Sequence, residues 1–160
     1  MTRGVDQRTF RDAMAAVASP VAVVTAMDGE RPHGSTVSAF ASLSLTPPMV
    51  LVSLDKRSQL LAIVRRIGLF GLNVLGAHQV NLATAFARTS TEKFRGVHWF
   101  PSEGLPRLPG SAAWIACRLA DTVDAGDHIV LLAHAVVSEA GSVQPLTYHR
   151  RSFGTHRPFL

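Results

Sequence analysis

Pro47-Pro48, the apolar run Met49 to Leu54 and the charged triplet Asp55-Lys56-Arg57 follow one another directly, and they leave this part of the chain few ways to fold. A short Val- and Leu-rich run closed by turn signals on both sides is a buried strand. Ser58 then stands at an N-cap position before Leu60, Leu61, Val64 and Ile67, which share one helical face, and Gly68 supplies the stop. Upstream, Arg31 to Ser42 is rich in small hydroxyl residues and reads as a strand entering a loop. A basic turn running into a capped helix start is a natural seat for a phosphate, because unpaired N–H groups and the positive dipole end point at it.

The rest of the chain repeats this scale of punctuation. Asp6 to Ala18 places Phe10, Met14 and Val17 on one face, predicting an amphipathic helix laid across a sheet and ended by Ser19-Pro20. Val21 to Ala26 and His33 to Ser42 read as a hairpin about Asp28-Gly29. Leu69 to Leu75 is a strand, and His78 to Ala87 is a short helix carrying Leu82, Ala85 and Phe86. The loop-rich Arg88 to Gly110 segment is expected to run over a site. Ala112 to Val123 and Asp127 to Ser138 form a long hairpin around Ala125-Gly126, and Leu146 to Thr155 closes the sheet. Short strands with tight turns, and too few helices to cover a parallel sheet, predict a mainly β, antiparallel barrel in a single domain spanning residues 1–160.

Composition narrows the function. With 47% hydrophobic and 17% charged residues, either the core is large or a second apolar surface is buried between subunits. The net charge of +5 is scattered in singles and adjacent pairs, without the stripe or aromatic platform of a nucleic-acid binder, so no nucleic-acid partner is expected. The one cysteine, Cys117, lies in an alternating segment and reads as a buried, inert thiol. It excludes an internal disulfide and a cysteine metal cluster, while His128 and His134 would share a strand face without close carboxylates, so no metal site is expected. Neither a signal peptide nor a membrane span is apparent, and a cytoplasmic protein is expected. Gly-x-Gly-x-x-Gly, a Walker lysine loop and a Gly-x-Ser-x-Gly elbow are all missing, which argues against a Rossmann enzyme, an ATPase and a serine hydrolase.

Several short motifs occur in a telling order: Val23-Val24-Thr25, Gly34-Ser35-Thr36-Val37-Ser38-Ala39-Phe40-Ala41-Ser42 and Leu45-Thr46-Pro47-Pro48-Met49-Val50-Leu51-Val52-Ser53. Phe70 to Leu75, Lys93-Phe94, Gly126-Asp127-His128 and Pro145-Leu146-Thr147-Tyr148-His149-Arg150 continue it. Over nearly its whole length the chain resembles the short-chain flavin reductase family, the NAD(P)H-dependent reductase components of two-component flavin monooxygenases. It departs from the family in Ser35, where a bulkier apolar residue is frequent, and in Arg151, where a glycine is common.

The resemblance implies an FMN-binding split β-barrel, a homodimer with the flavin site near its interface, and hydride transfer from NADH or NADPH to N5 of FMN or FAD. Reduced flavin would then leave by diffusion for a partner monooxygenase. It places Thr36, Val37, Ser38, Ala39 and Ser42 along the flavin, where small side chains let a flat ring approach and backbone N–H groups could stabilise developing negative charge. Ser53, Leu54, Lys56 and Ser58, with Arg57 beside them, would hold the ribityl chain or phosphate; Asn73, Val74 and Phe94 would lie near the flavin. His128 would stand on the nicotinamide side as the catalytic residue, with Tyr148 and Arg150 serving the pyridine nucleotide. The ring performs the redox step, so no protein nucleophile is required. Read by themselves, the serines are surface decoration, Lys56-Arg57 is a solvated turn, Ser58 only a cap, Asn73 turn chemistry and His128 a hairpin cap. A flavin carrier without reductase activity, or a split-barrel oxidase acting on another small substrate, would share most of these features.

Overall fold

A computed structural model describes residues 4–160. Three helices, α1 (Gln7–Ala15), α2 (Gln59–Ile67) and α3 (Val80–Ala87), accompany twelve strands. In chain order the strands are β1 (Ser19–Pro20), β2 (Ala22–Asp28), β3 (Arg31–Val37), β4 (Phe40–Leu45), β5 (Pro48–Asp55) and β6 (Leu69–Val74). They continue as β7 (Phe100–Ser102), β8 (Leu105–Arg107), β9 (Ala113–Ala125), β10 (His128–Ala140), β11 (Leu146–His149) and β12 (Ser152–Thr155).

Seven strands form one antiparallel sheet in the order β3-β2-β6-β9-β10-β5-β4. Its two edge strands, β3 and β4, are consecutive in the chain and joined only by Ser38 and Ala39. The sheet must therefore curl until its edges meet, and the β4–β5 ladder runs on into the connection, where the Ser53 N–H donates to the Ala39 carbonyl at 2.9 Å. Because β3 and β4 stay unpaired with each other, the barrel is split at this seam. β11 pairs with both β1 and β12 in a separate three-stranded sheet, and β7 with β8 forms a small hairpin.

Inward side chains explain the apolar runs. Val50, Val52 and Leu54 of β5 alternate into the barrel, where Leu60, Leu61, Ile63 and Val64 of α2 fill it together with Phe70, Leu72 and Leu131. β2 is buried on both faces: Ala22, Val24 and Ala26 face this core, while Val23 lies with Ala83 and Phe86 of α3 in a second cluster. Cys117 is buried, and burial pushes its thiol up to about 12, which keeps it protonated and unreactive.

Four sequence expectations change. Both long hairpins turn one residue later than expected, at Gly29-Glu30 with Gly29 at φ 63° and at Gly126-Asp127 with Gly126 at φ 64°. The expected strand His33 to Ser42 is two strands on opposite edges of the barrel, because β3 pairs with β2 and β4 with β5. The closing strand Leu146 to Thr155 is a hairpin outside the barrel, turning at Arg150 and Arg151 with φ 48° and 63°. Arg151, the departure from a common glycine, thus adopts a left-handed conformation that costs a non-glycine residue roughly 1–2 kcal/mol. Finally, α1 is amphipathic but buries no residue: Phe10 and Met14 are about half exposed. Its apolar face does not pack across the sheet within this chain.

Candidate functional site

A pocket of about 890 Å³ opens where β3, the β5–α2 turn and the segment after α3 converge. β3 contributes residues 32–35, the turn contributes Asp55, Arg57 and Ser58, and residues 87–94 form the third wall. The close approach of β3 to α3 requires a glycine, since a Cβ on Gly34 would stand 2.8 Å from the Phe86 ring. Phe86, Phe94 and Trp99 then stack edge to face, at 4.8 Å and 5.9 Å between successive ring centres. Arg31 reaches across to the Thr91 carbonyl at 3.1 Å and ties the third wall to β3.

The electrostatics of the pocket are mostly basic. Lys93 is half-buried, and burial lowers its pKa; its ammonium donates to the Gly34 and Phe86 carbonyls at 3.2 Å and 3.1 Å. The side chain of Arg57 donates twice to Asp55, and the Arg57 N–H a third time. These bonds hold the Asp55 carboxyl down to about 2, so the acid in the pocket is neutralised by its own neighbour. His33 has its pKa lowered, first by burial and then by Arg31, and its Nε2 is buried without a hydrogen-bond partner. An orphaned nitrogen beside hydroxyls and cations suits a polar, anionic ligand.

Beside the pocket lies a strip of small exposed side chains, Ser38, Ala39, Ala41 and Ser42, at the seam of the barrel. From Ser35, the last β3 residue in the pocket, to Ser38 on the strip is three residues of extended chain, or roughly 10 Å. β5 runs back from the strip, where Leu51 faces Ala41, to Asp55 at the pocket. β3 and β5 therefore both connect the strip to the pocket.

The expected residues divide. Ser38, Ala39 and Ser42 lie on the strip, Ser53 is half-buried on β5 between strip and pocket, and Ser58 and Phe94 line the pocket. Thr36 donates its hydroxyl proton to the Ala83 carbonyl at 2.7 Å, which engages it beneath α3. Val37 and Leu54 point into the barrel core and can offer only backbone. Asn73 does not sit at a turn: it is fully buried in β6, donating to the Val23 carbonyl and Thr25 Oγ1 and accepting from the Leu108 N–H. Its amide serves the core, and Val74 beside it ends the same strand.

Lys56 turns away from the pocket and pairs with Asp124 at 2.7 Å. His128 opens β10 opposite Asp55, with Nδ1 2.7 Å from Asp127 Oδ1, which places it one strand from the pocket wall. Tyr148 packs against the tilted ring of Phe153 at 5.1 Å, and Arg150 donates its N–H to the Ala15 carbonyl; they lie on the outer hairpin and in its turn beside α1, outside the pocket lining. Gly34 and Lys93 belong to the family motifs without an assigned contact, and His33 and the run Arg88-Thr89-Ser90-Thr91 carry no sequence signal of a site, yet all of them line the pocket. The basic and hydroxyl-rich character of that run was visible, but its return to β3 was not. Among the described residues no helix is long and apolar enough to cross a membrane.

Comparison with known proteins gives a consistent picture. Residues 14–157 match the family described as flavin reductase like domain. The reductase component of 4-nitrophenol 4-monooxygenase/4-nitrocatechol 2-monooxygenase from Rhodococcus opacus is 37% identical over 97% of this chain and 84% of its own. NADH:riboflavin 5'-phosphate oxidoreductase from Streptomyces pristinaespiralis is 36% identical over 96% of this chain and 90% of its own. Among solved structures, the NADH:FAD oxidoreductase of Streptomyces globisporus, in complex with NAD and FAD fragments, superposes with a TM-score of 0.90. It is 28% identical, over 98% of each chain.

Proposed function

The chain belongs to the flavin reductase-like domain family, and on that premise we propose that it is an NAD(P)H:flavin oxidoreductase reducing FMN or FAD for a partner monooxygenase. The observation that carries this reading is the exposed strip at Ser38 set beside the basic pocket at Ser58, with β3 and β5 running between them. Together they offer a small-residue surface and, beside it, cations with hydroxyls, as a ring joined through a polyol to a phosphate demands.

Flavin bound here supplies the redox chemistry by accepting a hydride from the nicotinamide. The chain's own contribution is placement. Backbone N–H groups around Ser38 and Ala39 would orient the ring edge and favour negative charge there, and Ser58 with the open start of α2 would hold the phosphate. His128, set beside Asp127, would meet the nicotinamide nucleotide from the neighbouring strand. Stacking two bound rings turns an encounter in solution into an oriented pair, so affinity for the nucleotide can stay weak.

We read residues 1–160 as a single domain, its first three residues lying outside those described, and the chain as cytoplasmic. It is also read as a homodimer, which the uncovered face of α1 and the outward Tyr148 and Phe153 support. In a dimer Tyr148 and Arg150 of the outer sheet would reach a nucleotide only from the second copy. The test is oxidation of NADH and NADPH, followed by loss of the reduced-nicotinamide absorbance, with catalytic FMN or FAD. Flavin binding without turnover would make the protein a carrier, and product formation without a nicotinamide donor would make it an oxidase.

A further inference from the structure

Resting on the reductase reading above, we infer that Lys56 is a positioning residue for the nicotinamide side: by binding Asp124 it holds the tip of the β9–β10 hairpin, and with it His128, against the β5–α2 turn. The tip is otherwise lightly fastened. β6 leaves β9 at Arg118, so residues 120–125 have β10 as their only strand partner. Among the described residues, the bond from the Lys56 ammonium to Asp124 at 2.7 Å is the only side-chain hydrogen bond or ion pair that reaches this stretch from another element.

The register separates this bond from the site it serves. Residues directly opposite in an antiparallel sheet share a face, and successive residues alternate between faces. Leu54, Ile129 and Asp124 form one row, on the side where Leu54 and Ile129 enter the barrel core; Asp55, His128 and Ala125 form the next row, on the opposite face. Lys56 therefore grips the hairpin from the barrel side, while the His128 imidazole, 2.7 Å from the Asp127 carboxylate, stands on the outer side. The Lys56 N–H also extends the β5–β10 ladder by one bond, to the Asp127 carbonyl at 3.0 Å, so the two bonds hold the tip before and after Gly126. Paired with Asp124, the ammonium does not touch what His128 touches, and it acts through the hairpin backbone. The pair is exposed, which makes its contribution modest and salt-sensitive.

The experiment compares wild type, Lys56→Met, Lys56→Arg, Asp124→Asn and the double variant Lys56→Met/Asp124→Asn, each with and without His128→Ala. The readouts are kcat/KM for NADH at saturating FMN, the affinities for FMN and riboflavin, and hydrogen exchange over residues 120–128. Loss of one exposed ion pair corresponds to a factor of up to about five. Lys56→Met and Asp124→Asn should each lower kcat/KM by that factor, the double variant no further, and Lys56→Arg should retain most of the wild-type value. Flavin affinities should stay unchanged, exchange at the tip should quicken, and the advantage of wild type should shrink as salt is raised. With His128→Ala already in place, none of these variants should lower kcat/KM further.

A merely structural ion pair would quicken exchange without touching kcat/KM, and that result overturns the inference. So does a loss that persists in the His128→Ala background, or one that Lys56→Met shows and Asp124→Asn does not. FMN affinity that falls in Lys56→Met while riboflavin affinity holds would assign Lys56 to the ligand itself and overturn the inference likewise. Wild type that oxidises no NADH with FMN or FAD overturns the reductase reading, and the inference with it.

Discussion

Helices α1 and α2 are both nine residues long and both amphipathic, yet they are held by different forces. α1 has a bonded cap, with Asp6 accepting from the Thr9 N–H at 3.0 Å and the Thr9 hydroxyl at 2.6 Å, but no buried residue. α2 has no side-chain bond at its cap and instead buries Leu60, Leu61, Ile63 and Val64 in the barrel. Helical periodicity therefore reports that a face needs covering and leaves open what covers it. For α2 the cover is the chain's own sheet; for α1 none is found among the described residues.

The sharpest way to break this contrast is to truncate one apolar side chain in each helix. Leu61→Ala should cost about 2–5 kcal/mol in urea unfolding, because the barrel interior cannot collapse onto the cavity. Phe10→Ala should stay within roughly 0.5 kcal/mol when measured under conditions that keep the protein monomeric. Similar losses at the two sites would mean that α1 is covered within the protomer after all.

Self-association sharpens the same point. If a second copy covers α1, Phe10→Asp should weaken dimerisation at least about tenfold, since it would bury an unpaired carboxylate. Sedimentation of wild type and variant measures this directly. A wild type that sediments as a monomer at micromolar concentration would remove the dimer and leave the face for another partner.

What was legible in the sequence follows the range of the interactions. β5, the Gly68 stop of α2 at φ 79° and the inert Cys117 rest on local patterns, and each stands where the pattern puts it, with the β9–β10 hairpin turning one residue late. The break after Val37 rests on pairing with strands at opposite edges of the sheet, which no local window contains. Lys56 and Lys93 show the same limit within the site. Lys56 sits in the more suggestive sequence, but Asp124, 68 positions away, takes its charge; Lys93 gains its place from Gly34, 59 positions away. Asn73 likewise reads as turn chemistry until β2 and Leu108 fold around its amide.

The smallest expected effect is the most discriminating, because it compares the two caps. Ser58 occupies the N-cap position of α2 with extended backbone, yet its hydroxyl makes no capping bond and lines the pocket. Ser58→Ala should therefore cost well under the about 1 kcal/mol of a bonded cap, and any loss of FMN affinity then reports a ligand contact without a folding penalty. Asp6→Ala should be the more destabilising of the pair, and its effect should depend on pH. The Thr9 hydroxyl and N–H lower the folded pKa of Asp6 below its ordinary value of 3.8. Its contribution is thus present above that value and fades as pH falls through the lowered one. Unfolding curves of both variants and wild type at neutral and acid pH test this together. A Ser58→Ala loss as large as that of Asp6→Ala at neutral pH would show that the Ser58 hydroxyl caps α2 in solution, and the hydroxyl would then be unavailable to a phosphate.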